Sequence, residues 1–276
     1  EKENGIKSTK FSCYLPFAVN TVKRNMAYRG AFFIRLVSRF FTVLVTYYLW
    51  KAIFQSSTSS EIQGFTFAEM TVYIAINFLS GIITGISGPT ALNIATDVAD
   101  GSIAIQLIRP ISYRLIKFSE NMGDLVGNFL VQVIPFFIFF VIIGFSGRPA
   151  IFNLILYFFS AFLSFLCMFY FGFFFGLFSF YTTYFFGLNM AMSVLLQFFS
   201  GALIPLSFFP EKIEKIFQIL PFASMNYTPL MLYLGKMDLN EGKNAIILQI
   251  FWILIFYLAG KVMWHFSIKK LTILGG

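Results

Sequence analysis

A long uncharged stretch constrains the fold of this chain more than any other feature of its sequence. Residues 149–210 contain no ionised side chain. As a single helix they would reach about 93 Å, whereas a bilayer core is about 30 Å thick and needs about 20 apolar residues per span. The stretch therefore predicts two membrane spans joined by a tight turn near residues 180–186.

Four further apolar segments extend this pattern to six spans. They are residues 33–50, 70–96, 125–147 and 244–264. The chain is 58% hydrophobic and only 12% charged, against about a quarter charged in soluble domains, which excludes a water-soluble fold. Segments such as 129–143 are apolar on every helical face and do not alternate as barrel strands do. We expect an all-α protein with a six-helix transmembrane domain over residues 30–266.

The basic residues predict the orientation in the membrane, because cytoplasmic flanks of spans are enriched in lysine and arginine. With the N-terminus in the cytoplasm, fourteen of the 20 basic residues lie inside and six outside. Both termini are therefore expected to be cytoplasmic, including a tail at residues 267–276. The net charge of +8 is interpreted as this signal together with contact to anionic lipids, and not as nucleic-acid binding.

The segment before the first span has the pattern of a helix that lies on the membrane surface. Its apolar residues recur at three- and four-residue steps and include Phe11, Leu15 and Val22, while Arg24 lies elsewhere around the helix. This predicts an amphipathic interfacial helix over residues 11–26, in contact with membrane lipids. It forms part of a cytoplasmic N-terminal region, residues 1–29. A flexible basic tail is the alternative.

The inner loop between the second and third spans, residues 97–117, predicts a short helix that lies crosswise. Asp100 or Ser102 would cap this helix. Pro110 would end it, because the residue before a proline avoids the helical conformation. Three apolar side chains would form a small face suited to docking on another protein: Ile103, Leu107 and Ile108. Plain packing at the membrane interface is the alternative.

A glycine and two prolines predict a broken helix at the outer end of the fifth span. These residues are Gly201, Pro205 and Pro210. Prolines five residues apart cannot both lie in one regular helix. The segments 211–220 and 225–234 that follow are too short to span. We expect a short re-entrant hairpin on the outer face, residues 207–243, and the preceding break is expected to help close the exit.

No catalytic or metal-binding arrangement is expected. The only histidine is His265, and Cys13 and Cys167 are far apart in the chain. A Walker loop requires Ser or Thr after its Gly-Lys pair, but the three Gly-Lys pairs here are followed by Met, Asn and Val. The chain is therefore expected to bind neither ATP nor Mg²⁺ and not to be an enzyme by itself. Acidic residues lie only near span ends, which argues against an ion-coupled carrier.

Four segments together resemble the ABC-2 type permeases, the membrane-spanning subunits of ATP-binding-cassette exporters. They are residues 25–30, the inner loop 100–110, the broken segment 199–210 and the outer hairpin before the sixth span. The resemblance implies a half-transporter in a bacterial plasma membrane. It also implies a second permease half, identical or related, and cytoplasmic ATPase subunits that carry ATP and Mg²⁺.

The resemblance assigns the coupling of ATP hydrolysis to the inner loop. The residues it implies are Asp100, Ile103, Gln106, Leu107, Arg109 and Arg114. Ile103 and Leu107 would fill a groove on the ATPase. A Leu107→Asp variant would no longer bind the ATPase. Either Arg109 or Arg114 would pair with acidic residues of the ATPase.

The cargo is expected to be hydrophobic or amphipathic, such as a lipid-like compound, a drug or an antimicrobial peptide, because the spans are rich in aromatic residues. A polysaccharide or glycolipid exporter of the same fold is the alternative within transport. A membrane-embedded lipid-modifying enzyme and a passive channel are alternatives from other classes.

Overall fold

The computed structural model describes residues 13–27, 29–84, 89–142 and 149–270. Almost all of these residues are helical, which agrees with the predicted all-α class. The helices are α1 (Leu15–Ala27), α2 (Arg29–Ser56), α3 (Phe67–Thr84), α4 (Pro89–Ala99), α5 (Ser102–Ile108), α6 (Tyr113–Asn128), α7 (Ile134–Ile142), α8 (Ile151–Gly176), α9 (Phe185–Phe199), α10 (Glu211–Ile219), α11 (Pro221–Met225), α12 (Tyr227–Leu234) and α13 (Leu239–Ile268). Two short antiparallel strands, β1 (Glu61–Ile62) and β2 (Phe65–Thr66), join α2 to α3.

Several of these helices suit a membrane by length and composition. Within the described residues, three segments are long and apolar enough to cross one: Leu36–Ser56, Ile151–Phe180 and Leu239–Ile268. Two shorter apolar helices are Phe67–Ile82 and Phe185–Phe199. The turn that separates α8 from α9 lies at residues 181–184, where the sequence predicts it.

The second and third predicted spans differ in detail from the helices that form. α3 reaches Thr84, and Pro89 is the first residue of α4; residues 85–88 lie outside the described part. Proline suits the first helical position because the N–H it lacks has no partner there. The third helical segment starts at Tyr113 and not at residue 125, and residues 143–148 are not described.

A π-helical turn, Phe129–Val133, connects α6 to α7. Within it the N–H of Ile134 donates to the carbonyl oxygen of Phe129, five residues earlier. Such a turn holds one residue more than a regular α-helical turn. Phe136 and Phe140, which follow it, are buried in the core.

α1 packs lengthwise on α6. Tyr14 and Thr21 are buried, and the backbone N–H of Ser112 donates to the Tyr14 hydroxyl at 3.2 Å. Gly123 of α6 makes this approach possible, because a Cβ there would collide with the backbone oxygen of Ala18. α1 therefore packs against another helix of the same chain, a contact that the sequence did not indicate.

The other side of α1 remains open. Leu15 is 62% exposed, Arg24 is also exposed and Val22 is half-buried. The predicted helix is present from Leu15 onwards, whereas Phe11 lies outside the described residues. Its contact with membrane lipids stays a prediction.

α8 is the central helix of the bundle and packs against α13, α12 and α4. α11 and α12, which are part of the predicted outer hairpin, are buried between α8, α13 and α3, whereas α10 has no buried residue. The hairpin is thus partly inserted into the bundle and partly on its surface.

A buried polar network fastens this inserted part. Gln249 of α13 is 0% exposed. Its Nε2 donates to the carbonyl oxygen of Ser224 at 2.9 Å and to Ser164 Oγ at 3.0 Å. Its Oε1 accepts from Ser160 Oγ at 3.0 Å, and Ser164 Oγ donates to the Ser224 carbonyl at 2.8 Å. Since Ser224 lies in α11, the network joins that short helix to α8 and α13.

Candidate functional site

The short helix α5 lies between two local signals. The Asp100 carboxylate accepts a hydrogen bond from the backbone N–H of Ser102 at 2.9 Å, and this bond lowers the pKa of Asp100. Arg109 is extended ahead of Pro110 and ends the helix. The stop before Pro110 is present as predicted, whereas the N-cap residue of α5 is Gly101 and not Asp100 or Ser102. The Asp100 bond to Ser102 comes from one residue before the cap.

The apolar face of α5 points in a different direction from the one predicted. Ile103 is 1% exposed and packs with Ile94, Tyr113 and Phe173, and Leu107 is half-buried against the same cluster. The placement of Ile103 on a docking face is therefore corrected. Burial of such a side chain stabilises a fold by about 1.5–3 kcal/mol. Here that stabilisation comes from contacts within the bundle and not from a partner protein.

Two other apolar side chains of the loop face outward. Ile105 is 61% exposed and Ile108 is 81% exposed. These residues form the free apolar face of α5. Arg109 is also exposed, and its guanidinium lies 5.8 Å from the ring centroid of Phe17 in α1.

Asp97, at the end of α4, holds the loop together. Its Oδ2 lies 2.6 Å from Lys117 Nζ and accepts from the Tyr113 hydroxyl at 2.7 Å. Gln106 Nε2 donates to the same oxygen at 3.0 Å. The Ser102 hydroxyl donates to Oδ1 at 3.3 Å. One carboxylate thus connects the end of α4 with α5 and the start of α6.

Lys117 is the counter-ion of this cluster and is almost completely buried. Its side chain is 4% exposed and also pairs with Glu120 at 2.9 Å. This buried cation holds two carboxylates in place. Its removal would leave buried negative charge without a partner, which is strongly destabilising.

Stacked rings connect this cluster to the long helices. The rings of Tyr113 and Trp264 are 5.1 Å apart and nearly parallel, at 5°. The Arg114 guanidinium lies 5.2 Å from the Phe173 ring centroid and 4.9 Å from that of Tyr257. Arg114 is therefore held against α8 and α13.

The sequence reasoning missed the roles of Asp97, Lys117 and Trp264. A usable signal was present for the first two, since residues of opposite charge stand at the two ends of the loop. Nothing local in the sequence indicates that Trp264 meets Tyr113. Among the described residues, no group of His, Cys, Asp and Glu side chains is arranged to hold a metal ion.

At the other end of the bundle, the predicted break follows α9. Gly201 adopts a left-handed φ of 76°. Its carbonyl oxygen accepts from the Tyr73 hydroxyl, and the Ala202 carbonyl accepts from Asn77 Nδ2 at 2.8 Å. Asn226 Nδ2 donates to Asn77 Oδ1 at 2.8 Å. The break is therefore held by α3 on one side and by the residue between α11 and α12 on the other.

The two prolines shape the chain after the break. Pro205 is buried and precedes a 3₁₀ turn, Leu206–Phe208. Pro210 is exposed and precedes α10. The three residues predicted for this region thus mark three successive changes of chain direction, while their role in closing an exit stays a prediction.

A left-handed conformation costs a residue with a side chain about 1–2 kcal/mol. We expect Gly201→Ala to lower the free energy of unfolding by more than this amount. The reason is the space around it, because a Cβ would lie 3.1 Å from Tyr227 and 3.2 Å from the Tyr73 hydroxyl. Gly64→Ala is the matched control, since Gly64 has a φ of 75° with nothing within 4 Å. Thermal unfolding of the purified variants measures the difference, and equal losses would show that the contacts around Gly201 are unimportant.

Comparison with known proteins identifies a family for most of the chain. The family model described as ABC-2 family transporter protein matches residues 40–275. The match includes the inner loop, the outer break and the hairpin. A search of the curated proteins found no significant match. The family consists of membrane-spanning permeases of ABC transporters, which implies a membrane location and an associated ABC ATPase subunit. The chain belongs to the ABC-2 family of transporter proteins.

Proposed function

We propose that this chain is the permease half of an exporter that moves a hydrophobic or amphipathic molecule outward, driven by ATP hydrolysis on a separate subunit. The observation that carries the proposal is the braced inner loop. Asp97 and Lys117 join α4 to α6, and Tyr113 is stacked on Trp264 of α13. A rigid projection of this kind can convert the closure of an ATPase into movement of the long helices.

The proposal includes six spans with both termini in the cytoplasm. The six spans would be α2, α3 with α4, α6 with α7, α8, α9 and α13. Support comes from the two ends of α13. Trp264 near one end stacks on Tyr113 of the inner loop, residues 97–117, and Leu239 at the other end follows the outer hairpin. The 30 residues of α13 extend for roughly 45 Å, enough to cross the bilayer.

The proposal also includes a second permease half, identical or related. α9 buries only Phe185 and Leu196 against the described part of the chain. Among the described side chains of α2 only Val43 and Trp50 are buried, and others are strongly exposed, such as Phe41 at 61% and Val45 at 67%. These apolar faces suit lipid or a facing permease, and chemical cross-linking of single-cysteine variants in membranes would distinguish the two.

The free face of α5 would be the contact with the ATPase. Ile105 and Ile108 are exposed, while Ile103 and Leu107 are used inside the bundle. Leu107→Asp would therefore damage the permease itself and cannot test docking. Ile108 is the better position because a change there leaves the fold intact.

We expect Ile108→Asp to reduce co-purification of the ATPase by about tenfold or more. An aspartate at that position would be buried without a partner in the complex, at a cost of several kcal/mol. Ile268→Asp is the control, because Ile268 is exposed at the inner end of α13 and carries the same change. If the Ile108→Asp complex stays assembled and hydrolyses ATP in response to cargo, α5 is not the coupling element.

Transport itself is tested with the permease and its ATPase in proteoliposomes. ATP-dependent movement of a fluorescent amphipathic compound would support the proposal, and movement of a glycolipid alone would favour the alternative exporter. Gly201→Leu cannot test whether the outer break helps to close the exit, because its side chain would meet Tyr227 and Tyr73 and destabilise the permease itself. No ATP-dependent movement of either cargo class would contradict the proposal.

A further inference from the structure

The charges of α13 locate the middle of the bilayer on this helix. Residues 244–260 carry no charge, and Lys243 and Lys261 flank them. An uncharged helical segment of this length extends for roughly 26 Å, close to the thickness of a bilayer core. Trp252 stands midway between the two lysines in the sequence. We therefore place Trp252 near the midplane of the membrane.

The inserted part of the outer hairpin reaches the same depth. The indole Nε1 of Trp252 donates to the carbonyl oxygen of Ile219, the last residue of α10, at 3.0 Å. The side chain of Gln249, which precedes Trp252 by less than one turn, donates to the Ser224 carbonyl oxygen of α11 at 2.9 Å. The end of α10 and the short helix α11 therefore lie about halfway across the bilayer.

A cavity of about 740 Å³ lies beside the inserted hairpin and extends to nearly this depth. Lys236 and Glu241 line the cavity near the start of α13, whereas Ile219 and Leu248 line its inner end. Leu248 is four residues from Trp252, which corresponds to about 6 Å along the helix. The cavity thus runs from the outer surface deep into the outer half of the membrane.

Polar side chains line this cavity over much of its depth. They include Glu214 and Gln218 of α10, Thr228 of α12 and Asn244 of α13. Polar and ionisable groups within a membrane are costly against lipid, and they almost always face the protein interior or a water-filled cavity. The wall therefore suits water better than lipid chains.

Unpartnered polar atoms adjoin the inner end of the cavity. Asn226 and Ser224 are 0% exposed and Ser200 is 1% exposed. The Asn226 Oδ1 and the two serine Oγ atoms have no hydrogen-bond partner within the described residues. Asn226 stands between two residues of the cavity wall, Ala223 and Tyr227. Since buried polar atoms are normally bonded to protein or to ordered water, these three atoms indicate water that enters from the cavity.

We propose that this cavity is a water-filled vestibule, which carries water from the outer surface to the middle of the bilayer and ends at Ser200 and Asn226. Ser200 directly precedes Gly201, so the vestibule ends beside the outer break. If the break rearranges, water would bond the carbonyl oxygens that now accept from Tyr73 and Asn77. Hydration requires neither the ATPase nor a cargo. The inference therefore goes beyond the proposed exporter function and succeeds or fails independently of it.

The test measures the reaction of single cysteines with MTSET, a permanently charged thiol reagent, in the purified permease in lipid nanodiscs. Cys13→Ser is the background, because Cys13 is exposed while Cys167 is buried. Leu248→Cys should react about tenfold or more faster than Ile250→Cys, since only a thiol in contact with water ionises readily. Ile250 is the matched control, because it lies two residues further along α13 and does not line the cavity. It is 42% exposed, whereas Leu248 is half-buried, so exposure alone would favour the opposite order.

A second variant tests the route by which water arrives. Ala245 lines the cavity and lies less than one turn closer to the outer surface than Leu248. Ala245→Trp should obstruct the vestibule and slow the reaction of Leu248→Cys to that of Ile250→Cys. Equal rates for Leu248→Cys and Ile250→Cys in the background protein would overturn the proposal, as would an unchanged Leu248→Cys rate after Ala245→Trp. Thermal unfolding verifies that each variant is folded, and the first comparison decides the outcome without the tryptophan variant.

Discussion

Lys117→Met is expected to destabilise the permease by about 3–5 kcal/mol, the usual result of removing one partner from a buried ion pair. The lysine side chain is 4% exposed, and Asp97 and Glu120, its partners at 2.6 and 2.9 Å, are 14% and 20% exposed. Both carboxylates would remain in place without a cation. A large fall in the thermal unfolding temperature of the purified protein is the expected measurement.

A surface lysine provides the control for this prediction. Lys215 forms an equally short ion pair, 2.6 Å from Glu211, but its side chain is 69% exposed. Lys215→Met should leave the thermal unfolding temperature nearly unchanged, because an exposed ion pair adds little to stability. The double variant Asp97→Asn with Lys117→Met should recover part of the lost stability, because asparagine is uncharged and can still accept from Tyr113. Similar losses for Lys117→Met and Lys215→Met would mean that burial does not govern this pair.

Gln249→Leu is expected to cost about 2–4 kcal/mol, because it removes the hydrogen bonds of a fully buried amide and leaves polar groups without partners. The bonds link Gln249 to Ser160, Ser164 and Ser224. The second expected effect is local: α11 should become accessible to hydrogen exchange before the rest of the bundle, since Ser224 is its attachment point. Hydrogen exchange followed by mass spectrometry measures this directly.

Gln197→Leu is the matched control for the same chemical change, because Gln197 is exposed on α9. It should leave both stability and exchange nearly unchanged. If the Gln249 and Gln197 variants behave alike, the buried network is not what fastens the inserted hairpin.

The sequence predicted the helical segments well because their signals are local. The apolar stretch of residues 149–210 was divided at the observed turn, and α5 ends before Pro110 as expected. Boundaries were less accurate where a helix extends beyond its apolar part. α6 begins at Tyr113 because its first turns pack against α1 and α4 and need not be apolar throughout.

The candidate site was only partly predictable, because its important contacts join residues far apart in the chain. Lys117 was interpreted as one of the basic residues at the cytoplasmic surface, yet it is buried against Asp97. Ile103 was assigned to a partner, yet the bundle itself covers it. Gln249, an amide in the apolar part of α13, was a signal for a buried network, but nothing in the sequence identifies Ser160, 89 positions away, as its partner.

The π-helical turn at Phe129–Val133 has a consequence for the evolution of this chain. Loss of one residue there would restore a regular α-helix and rotate everything after it by about 100°. Phe136 and Phe140, now 3% and 5% exposed, would turn out of the core, and neighbouring side chains would take their place. Insertions and deletions at this point are therefore not neutral changes of length, and a homologue without the extra residue must present a different set of side chains along α7.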